Sequence, residues 1–235
     1  ANTTASANTA VGNGALGANT TGSSNVAVGS NCLLSNTTAS NNTAVGHAAL
    51  DANTTGENNV AVGKDALTAN LSDDNVGVGY NALAVNSTGS SNTAVGSAAL
   101  DANTTASNNT AVGYLALSAD TTGHSNTAVG RSALSDVTTG GQNTAVGMYA
   151  GDNITTGANV SCFGYNAEPS TATTNNEIIL GNANVGAVRC GPGGVTTLSD
   201  GRDKTDVVDI PDGLDFVDSL RPVKFKWQTR EGVET

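Results

Sequence analysis

The sequence contains few large side chains and few charges. Aromatic residues make up 3% and charged residues 12% of its 235 residues. A globular domain of roughly isotropic shape would bury too little apolar area per residue with this composition. Low-complexity polar chains often stay unfolded, but a strict repeat can supply order. The composition therefore indicates either a disordered chain or a repetitive fold.

Basic residues and cysteines are also scarce. The net charge of −11 disfavours nucleic acid as a partner, because no basic patch can neutralise phosphates. Cys32, Cys162 and Cys190 are odd in number and far apart, a pattern that predicts neither a disulfide framework nor a metal site. No apolar run reaches transmembrane length, so we expect no membrane insertion. No motif predicts a cofactor.

What the sequence does contain is an internal repeat. The unit reads Asn-(Thr/Val)-Ala-Val-Gly-x-x-Ala-Leu-x-Ala-Asn-Thr-Thr-Gly-x-x. Its first glycine recurs at Gly12, Gly29, Gly46, Gly63, Gly79, Gly96, Gly113, Gly130, Gly147, Gly164 and Gly181. The spacing is 17 residues, with a single interval of 16. So regular a period predicts one structural unit stacked about eleven times.

Each unit has the composition of one coil of a β-solenoid. The segment Asn8–Val11 alternates β-branched and small residues, with the period of two that is typical of a short strand. Ala15–Leu16 is predicted to be a second strand, and Asn19–Gly22 a turn in which glycine supplies a positive φ. Frequent Gly, Asn and Thr disfavour helix. We therefore predict an all-β solenoid or β-roll of about eleven 17-residue coils over residues 1–182.

The apolar residues of the unit predict self-association. Alanines such as Ala10 and Ala27 suit the inside of a thin coil, which places the valine and leucine rows, represented by Val11 and Leu16, outside. Two continuous aliphatic rows exceed what a soluble monomer normally exposes. Burying them between identical copies predicts a rotational homo-oligomer. A monomeric solenoid with valine and leucine inside is the alternative.

The repeat resembles the head repeats of trimeric autotransporter adhesins, which read Asn-Ser-Val-Ala-Ile-Gly-x-x-Ala/Ser. The resemblance extends from residue 1 to about residue 182. It implies a homotrimeric left-handed β-roll that binds host surfaces. The unit differs from that family in its greater length and in having one aliphatic residue fewer in the strand.

The residue after each repeated glycine is the most variable in the unit, which is typical of an exposed edge. Among these residues, Tyr80, Tyr114 and Tyr165 are candidate stacking platforms for a host glycan. An unconstrained surface position is the alternative interpretation. The Thr-Thr pairs raise ice binding as another function, but adjacent threonines point to opposite sides and are more typical of turns. The acidic residues are scattered through the repeat, so no paired carboxylates of a glycan-cleaving enzyme are evident.

Charge density rises about sixfold after Leu198, which marks a domain boundary. We predict that residues 183–198 form a cap and connector, and that residues 199–235 begin a small α+β module. Its opening, Ser199–Lys204, reads Ser-Asp-x-Arg-x-Lys, and Leu220–Trp227 reads Leu-Arg-Pro-Val-x-Phe-x-Trp. Both motifs resemble the S74 peptidase family, the intramolecular chaperone of phage tailspikes and fibres.

This second resemblance implies that the module trimerises the fibre and then cuts itself off with a serine–lysine dyad. It implies a cut between Leu198 and Ser199, with Ser199 as the nucleophile and Lys204 as its general base. A lysine acts as a base only when desolvation or a positive neighbour lowers its pKa, and Arg202 is the candidate neighbour. Asp200 is a further residue of this sequence that matches the family's opening motif. One self-cleavage per chain is the only catalysis that we expect.

Together these features predict a structural and adhesive segment of a homotrimeric phage tail fibre or tailspike. Such a segment is carried on the virion and contacts a host-surface glycan or protein and other tail proteins. The alternative is the head of a bacterial trimeric autotransporter adhesin on the cell surface.

Overall fold

The computed structural model describes residues 4–188, which belong to one compact unit. Each repeat contributes one strand of three residues. The strands are β1 (Thr9–Val11), β2 (Val26–Val28), β3 (Thr43–Val45), β4 (Val60–Val62), β5 (Val76–Val78), β6 (Thr93–Val95), β7 (Thr110–Val112), β8 (Thr127–Val129), β9 (Thr144–Val146), β10 (Ser161–Phe163) and β11 (Ile178–Leu180). Consecutive strands pair in parallel and form one 11-stranded sheet in chain order.

The strand register confirms the predicted β-solenoid. Ala10 pairs with Ala27, and Ala27 with Ala44, so each turn of about 17 residues stacks directly on the next. The shorter interval is absorbed between β4 and β5, where Ala61 still pairs with Gly77. The eleven strands are thus joined by ten turns of the solenoid. No helix among residues 4–188 is long and apolar enough to cross a membrane.

The strands bury their middle residue, as predicted. Ala27, Ala44 and their apolar equivalents up to Cys162 are 0% exposed. Gly77 takes this place in β5 and is buried too, and its missing side chain leaves room for Leu67. Ala10 of the first strand is exposed. The flanking strand positions face outward because side chains alternate along a strand. The valine row therefore lies on the outer face.

The leucine row is inside, and the prediction that it lies outside with the valines was wrong. Leu33, Leu50 and Leu100 are 0% exposed and pack against the alanines. Leu33 has a φ of 47° and Leu50 a φ of 53°, so the alanine–leucine segment is a turn and not a second strand. A left-handed residue costs about 1–2 kcal/mol. Full burial of a leucine contributes about 1.5–3 kcal/mol, which offsets that cost.

The turns of adjacent coils are hydrogen-bonded to each other, as the strands are. The Leu33 N–H donates to the Ala49 carbonyl of the following coil, at 3.0 Å. The Asn31 N–H donates to the Asn13 carbonyl of the preceding coil, at 2.8 Å. Both donors belong to residues with positive φ, whose N–H and C=O groups point along the solenoid axis. The backbone is therefore satisfied coil to coil outside the strands as well.

The two glycine positions of the repeat have different roles. The glycine after the strand has a φ near +136° at Gly29, where a Cβ would lie 2.5 Å from the Gly46 carbonyl oxygen. The turn glycine was predicted to supply a positive φ, and this was wrong, since Gly22 does not adopt one. A Cβ on Gly22 would instead lie 2.2 Å from the Ala39 carbonyl oxygen. Close approach of the next coil thus favours glycine there.

Two rows of buried asparagines line the inside of the turns. In the row before the strands, Asn42 Nδ2 donates to the Gly56 carbonyl at 2.8 Å, and Asn42 Oδ1 accepts from the Asn59 N–H at 2.9 Å. In the row after the leucines, Asn36 Nδ2 donates to Asn19 Oδ1 at 2.8 Å. Each amide side chain therefore ties one coil to the next. The local turn bonding predicted for these asparagines is present too, since Asn19 Nδ2 donates to the Gly22 carbonyl.

Candidate functional site

The residue after each strand glycine forms a mostly exposed row along the solenoid, which we call the edge row. Its members in the described part of the chain are Asn13, Ser30, His47, Lys64, Tyr80, Ser97, Tyr114, Arg131, Met148, Tyr165 and Asn182. The predicted stacking platforms are exposed, with Tyr80 at 51%, Tyr114 at 50% and Tyr165 at 57%. The backbone of the row is bonded to the next coil, as where the Ser132 N–H donates to the Tyr114 carbonyl at 2.9 Å.

Both cationic residues of the described chain lie in the edge row. Lys64 and Arg131 are the only lysine and arginine among residues 4–188. The Lys64 ammonium lies 5.2 Å from the centre of the Tyr80 ring and forms an ion pair with Asp65. This hydrogen bond to Asp65 raises the pKa of Lys64. Tyr80 therefore stands beside a cation that already has an acidic partner.

A larger group surrounds Arg131. Its guanidinium carbon lies 5.8 Å from the centre of the Tyr114 ring and 5.5 Å from that of Tyr149. The Tyr149 and Tyr165 rings meet edge to face, with centroids 6.4 Å apart and an interplanar angle of 71°. Met148 belongs to the same stretch of the edge row and is 40% exposed. We call Tyr114, Arg131, Met148, Tyr149 and Tyr165 the tyrosine–arginine cluster.

The cluster brings two of the three predicted platforms into one group and leaves the third apart. Tyr114 and Tyr165 are linked through Arg131 and Tyr149, whereas Tyr80 pairs with Lys64. Sequence reasoning missed Tyr149, because it lies one position beyond the edge row. The size of Tyr149 could have identified it, since the other described coils have smaller residues at that position. Tyr149 has a φ of 59°, which is uncommon for an aromatic residue.

Acidic residues also approach each other near the end of the solenoid. Burial and the charges of Glu168 and Asp136 raise the pKa of Asp152 to about 6. The Asp152 carboxyl is within hydrogen-bonding reach of Glu168.

The last coil carries a shallow open pocket of about 390 Å³. It is lined by Asn166, Glu168, Gly181, Asn182, Ala183 and Asn184. No group of three metal-ligating side chains occurs within the described range. Cys162 is buried, and desolvation raises the pKa of its thiol to about 11, which disfavours a reactive thiolate.

The predicted self-cleavage residues lie outside the described residues. These are the nucleophile Ser199, the base Lys204, the supporting Asp200 and Arg202, and Leu198 before the cut. Their roles stay predictions. The domain boundaries at residues 182 and 198 also stay predictions.

Comparison with known proteins identifies one segment of the chain. Residues 199–235 match the Peptidase S74 family, described as chaperone of endosialidase. No curated protein and no solved structure matches the chain. The match begins at the residue where the Ser-Asp-x-Arg-x-Lys motif opens, and it confirms the resemblance drawn from that motif. The chain thus joins a β-solenoid to a segment similar to the chaperone of endosialidase.

Proposed function

We propose that this chain is a structural and adhesive segment of a homotrimeric phage tail fibre or tailspike, carried on the virion and used to attach to a host surface. The observation that carries the proposal is the order of the two parts. A rigid, repetitive β-solenoid is followed by a segment that matches the chaperone of endosialidase family. A chaperone placed after a fibre-like repeat suits a protein whose solenoids have to associate side by side in register.

The outer face of the sheet supports the homotrimer. The first and third residues of the strands face outward, and none of them is charged in β1 to β11. Valines in the third position, such as Val95 and Val112, remain 36–37% exposed. Such a continuous apolar row exceeds a typical monomer surface, and cyclic association of identical rows removes it from water.

The self-cleavage step is proposed for the C-terminal segment. The Ser199 hydroxyl attacks the Leu198 carbonyl carbon while Lys204 accepts the hydroxyl proton. That proton passes to the departing amide nitrogen of Ser199, and the Leu198–Ser199 peptide bond breaks as an ester to the Ser199 oxygen forms. Water then hydrolyses this ester. The step occurs once per chain and releases the chaperone from the assembled fibre.

The experiment that tests this step is the intact mass of the complete gene product. We expect the wild type to split after Leu198 and the Ser199→Ala variant to stay whole. Lys224→Ala is the matched control, because Lys224 stands at a variable position of the closing motif, and it should split like the wild type. If the wild type and the control both remain whole, the self-cleavage proposal is wrong.

The alternative function is the head of a bacterial trimeric autotransporter adhesin. The Asn-Thr-Ala-Val-Gly-x-x-Ala repeat favours it, whereas the match of residues 199–235 favours the phage fibre. Mass spectrometry of purified virions separates the two. Solenoid peptides in the virion support the fibre, and solenoid peptides found only in the bacterial envelope support the adhesin.

A further inference from the structure

We propose that the tyrosine–arginine cluster is a binding site for an acidic saccharide, meaning a sugar chain that carries carboxylate or sulfate groups. The proposal deepens the attachment function proposed above and rests on it. The cluster differs from the remainder of the solenoid in charge, in side-chain size and in exposure.

The first argument is the placement of charge. Residues 4–188 contain eleven acidic residues and two basic ones, and both basic residues lie in the edge row. Lys64 is already paired with Asp65. Arg131 has no carboxylate within ion-pair distance among the described residues. An exposed arginine without an acidic partner, on an otherwise acidic rod, is available to an anion.

The second argument is the orientation of the guanidinium. Arg131 lies near the rings of Tyr114 and Tyr149, at 5.8 and 5.5 Å. Cation–π contacts on both rings restrict the arginine before any ligand arrives, so less conformational entropy is lost on binding. The planar guanidinium presents paired N–H donors that match a carboxylate or sulfate group in a bidentate manner. These features favour arginine over a freely mobile lysine for anion recognition.

The third argument is the aromatic surface around the cation. Tyr114 is 50%, Tyr165 57% and Met148 40% exposed, whereas most of the surrounding surface consists of Ala, Ser, Thr and Asn. A tyrosine ring offers an apolar face to the C–H groups of a sugar and a hydroxyl for hydrogen bonding. Tyr114 and Tyr165 stand three coils apart, or about 14 Å at the strand spacing. That span suits an oligosaccharide rather than a single sugar.

The net negative charge of the solenoid affects how an acidic ligand would bind. A net negative shaft does not attract an anion over long distances, so binding depends on direct contact with Arg131. At physiological ionic strength, charges beyond about 8 Å are largely screened. We therefore expect short-range affinity that falls as salt increases.

The test is a glycan array that carries carboxylated and sulfated saccharides beside their neutral counterparts, probed with the complete fibre protein. We expect binding to acidic members. Arg131→Gln should weaken it by about tenfold or more, since hydrogen bonds to charged groups are lost. Lys64→Gln is the matched control, because it removes the other tyrosine-associated cation of the edge row, and it should bind like the wild type. Carboxylated and sulfated members of the array distinguish the two anion chemistries.

Three outcomes would overturn the proposal. They are binding to neutral saccharides alone, no binding to any acidic saccharide, and equal binding by wild type and Arg131→Gln. Native mass of the Arg131→Gln variant is measured in parallel, and a change in subunit number would assign the cluster to contacts between copies instead. If solenoid peptides are found in virions but no acidic saccharide binds, the inference fails while the proposed fibre function stands.

Discussion

Asp120 ends the second row of buried asparagines. It takes the place that Asn103 holds one coil earlier, and it is 0% exposed. Its Oδ1 accepts from the Gly123 N–H at 2.7 Å, and its Oδ2 accepts from Asn109 Nδ2 at 3.3 Å. Burial raises the pKa of Asp120 to about 7, although hydrogen bonds from Gly123 and Asn126 lower it. The groups that contact the carboxyl are uncharged, so desolvation is what penalises its ionised form.

The solenoid should therefore lose stability as pH rises from about 4 to about 7. The unfolded chain ionises Asp120 near 3.8 and the folded chain near 7, so the folded state is favoured most below 3.8. The full shift corresponds to about 4 kcal/mol. Asp120→Asn should remove this pH-dependent loss of stability. At pH values above 7, the variant should therefore have a higher thermal denaturation midpoint than the wild type. We expect the midpoints of wild type and variant to converge at pH 4.

Glu57→Gln is the control for this pH dependence, because Glu57 is an exposed acid of a distant coil. Its denaturation midpoints should follow those of the wild type from pH 4 to pH 8. An Asp120→Asn variant that keeps the wild-type difference between pH 4 and pH 8 would show that Asp120 is ionised in the fold at neutral pH.

At the scale of the single coil, the strand glycine sets how closely the coils approach. Gly96 has a φ of +144°, and a Cβ there would lie 2.2 Å from the Gly113 carbonyl oxygen. Both the backbone conformation and the contact exclude a side chain. The turn glycine is less strict, since Ala39 and Ala106 replace it in two coils and remain buried.

Gly96→Ala should destabilise the solenoid by at least about 2 kcal/mol, because it combines backbone strain with a clash against the next coil. Chemical denaturation followed by circular dichroism measures this. Gly186→Ala serves as the control, since nothing lies within 4 Å of a Cβ at Gly186. A Gly96→Ala variant as stable as Gly186→Ala would mean that the coils are not packed at this distance.

The repeat pattern predicted the strands well and the turns poorly. The number of coils, the strand before each repeated glycine and the buried alanine row follow from a strict period and from alternation of side chains. The position of the leucines does not, because Leu33 reaches the interior only through a left-handed conformation that local propensity disfavours. That conformation is supported by the hydrogen bond from Leu33 to Ala49 in the next coil. Such support exists only after the coils have stacked.

The sequence predicted the positions of two tyrosines of the candidate site, but not the contacts that join them into a cluster. Variation at the edge row identified Tyr114 and Tyr165, since their position in the repeat is fixed. The two rings are linked only through Arg131 and Tyr149, and Tyr149 occupies a different position of the unit, so it joins the cluster only in three dimensions. The sequence places Arg131 in the same variable position, but it does not predict that Arg131 contacts the Tyr114 and Tyr149 rings.

At the scale of the whole molecule, the outer valine row is the surface through which we expect the chains to associate. Because the leucines are buried, each chain has one aliphatic row on its surface, the valine row, and not the two rows that the sequence predicted. The remaining row is continuous, since Val95 and Val112 lie in adjacent strands and pair in register. Three such rows can meet around a common axis, and a charge introduced there would be buried without a partner, at a cost of several kcal/mol.

The most direct measurement is the native mass of the complete gene product beside its Val112→Asp variant. We predict a homotrimer for the wild type and a monomer for Val112→Asp, because the buried carboxylate disfavours closure of the interface. Thr122→Asp introduces the same charge at an exposed turn position and should stay trimeric. A monomeric wild type, or a Val112→Asp variant that remains trimeric, would contradict the trimeric fibre with its interface on the outer valine row.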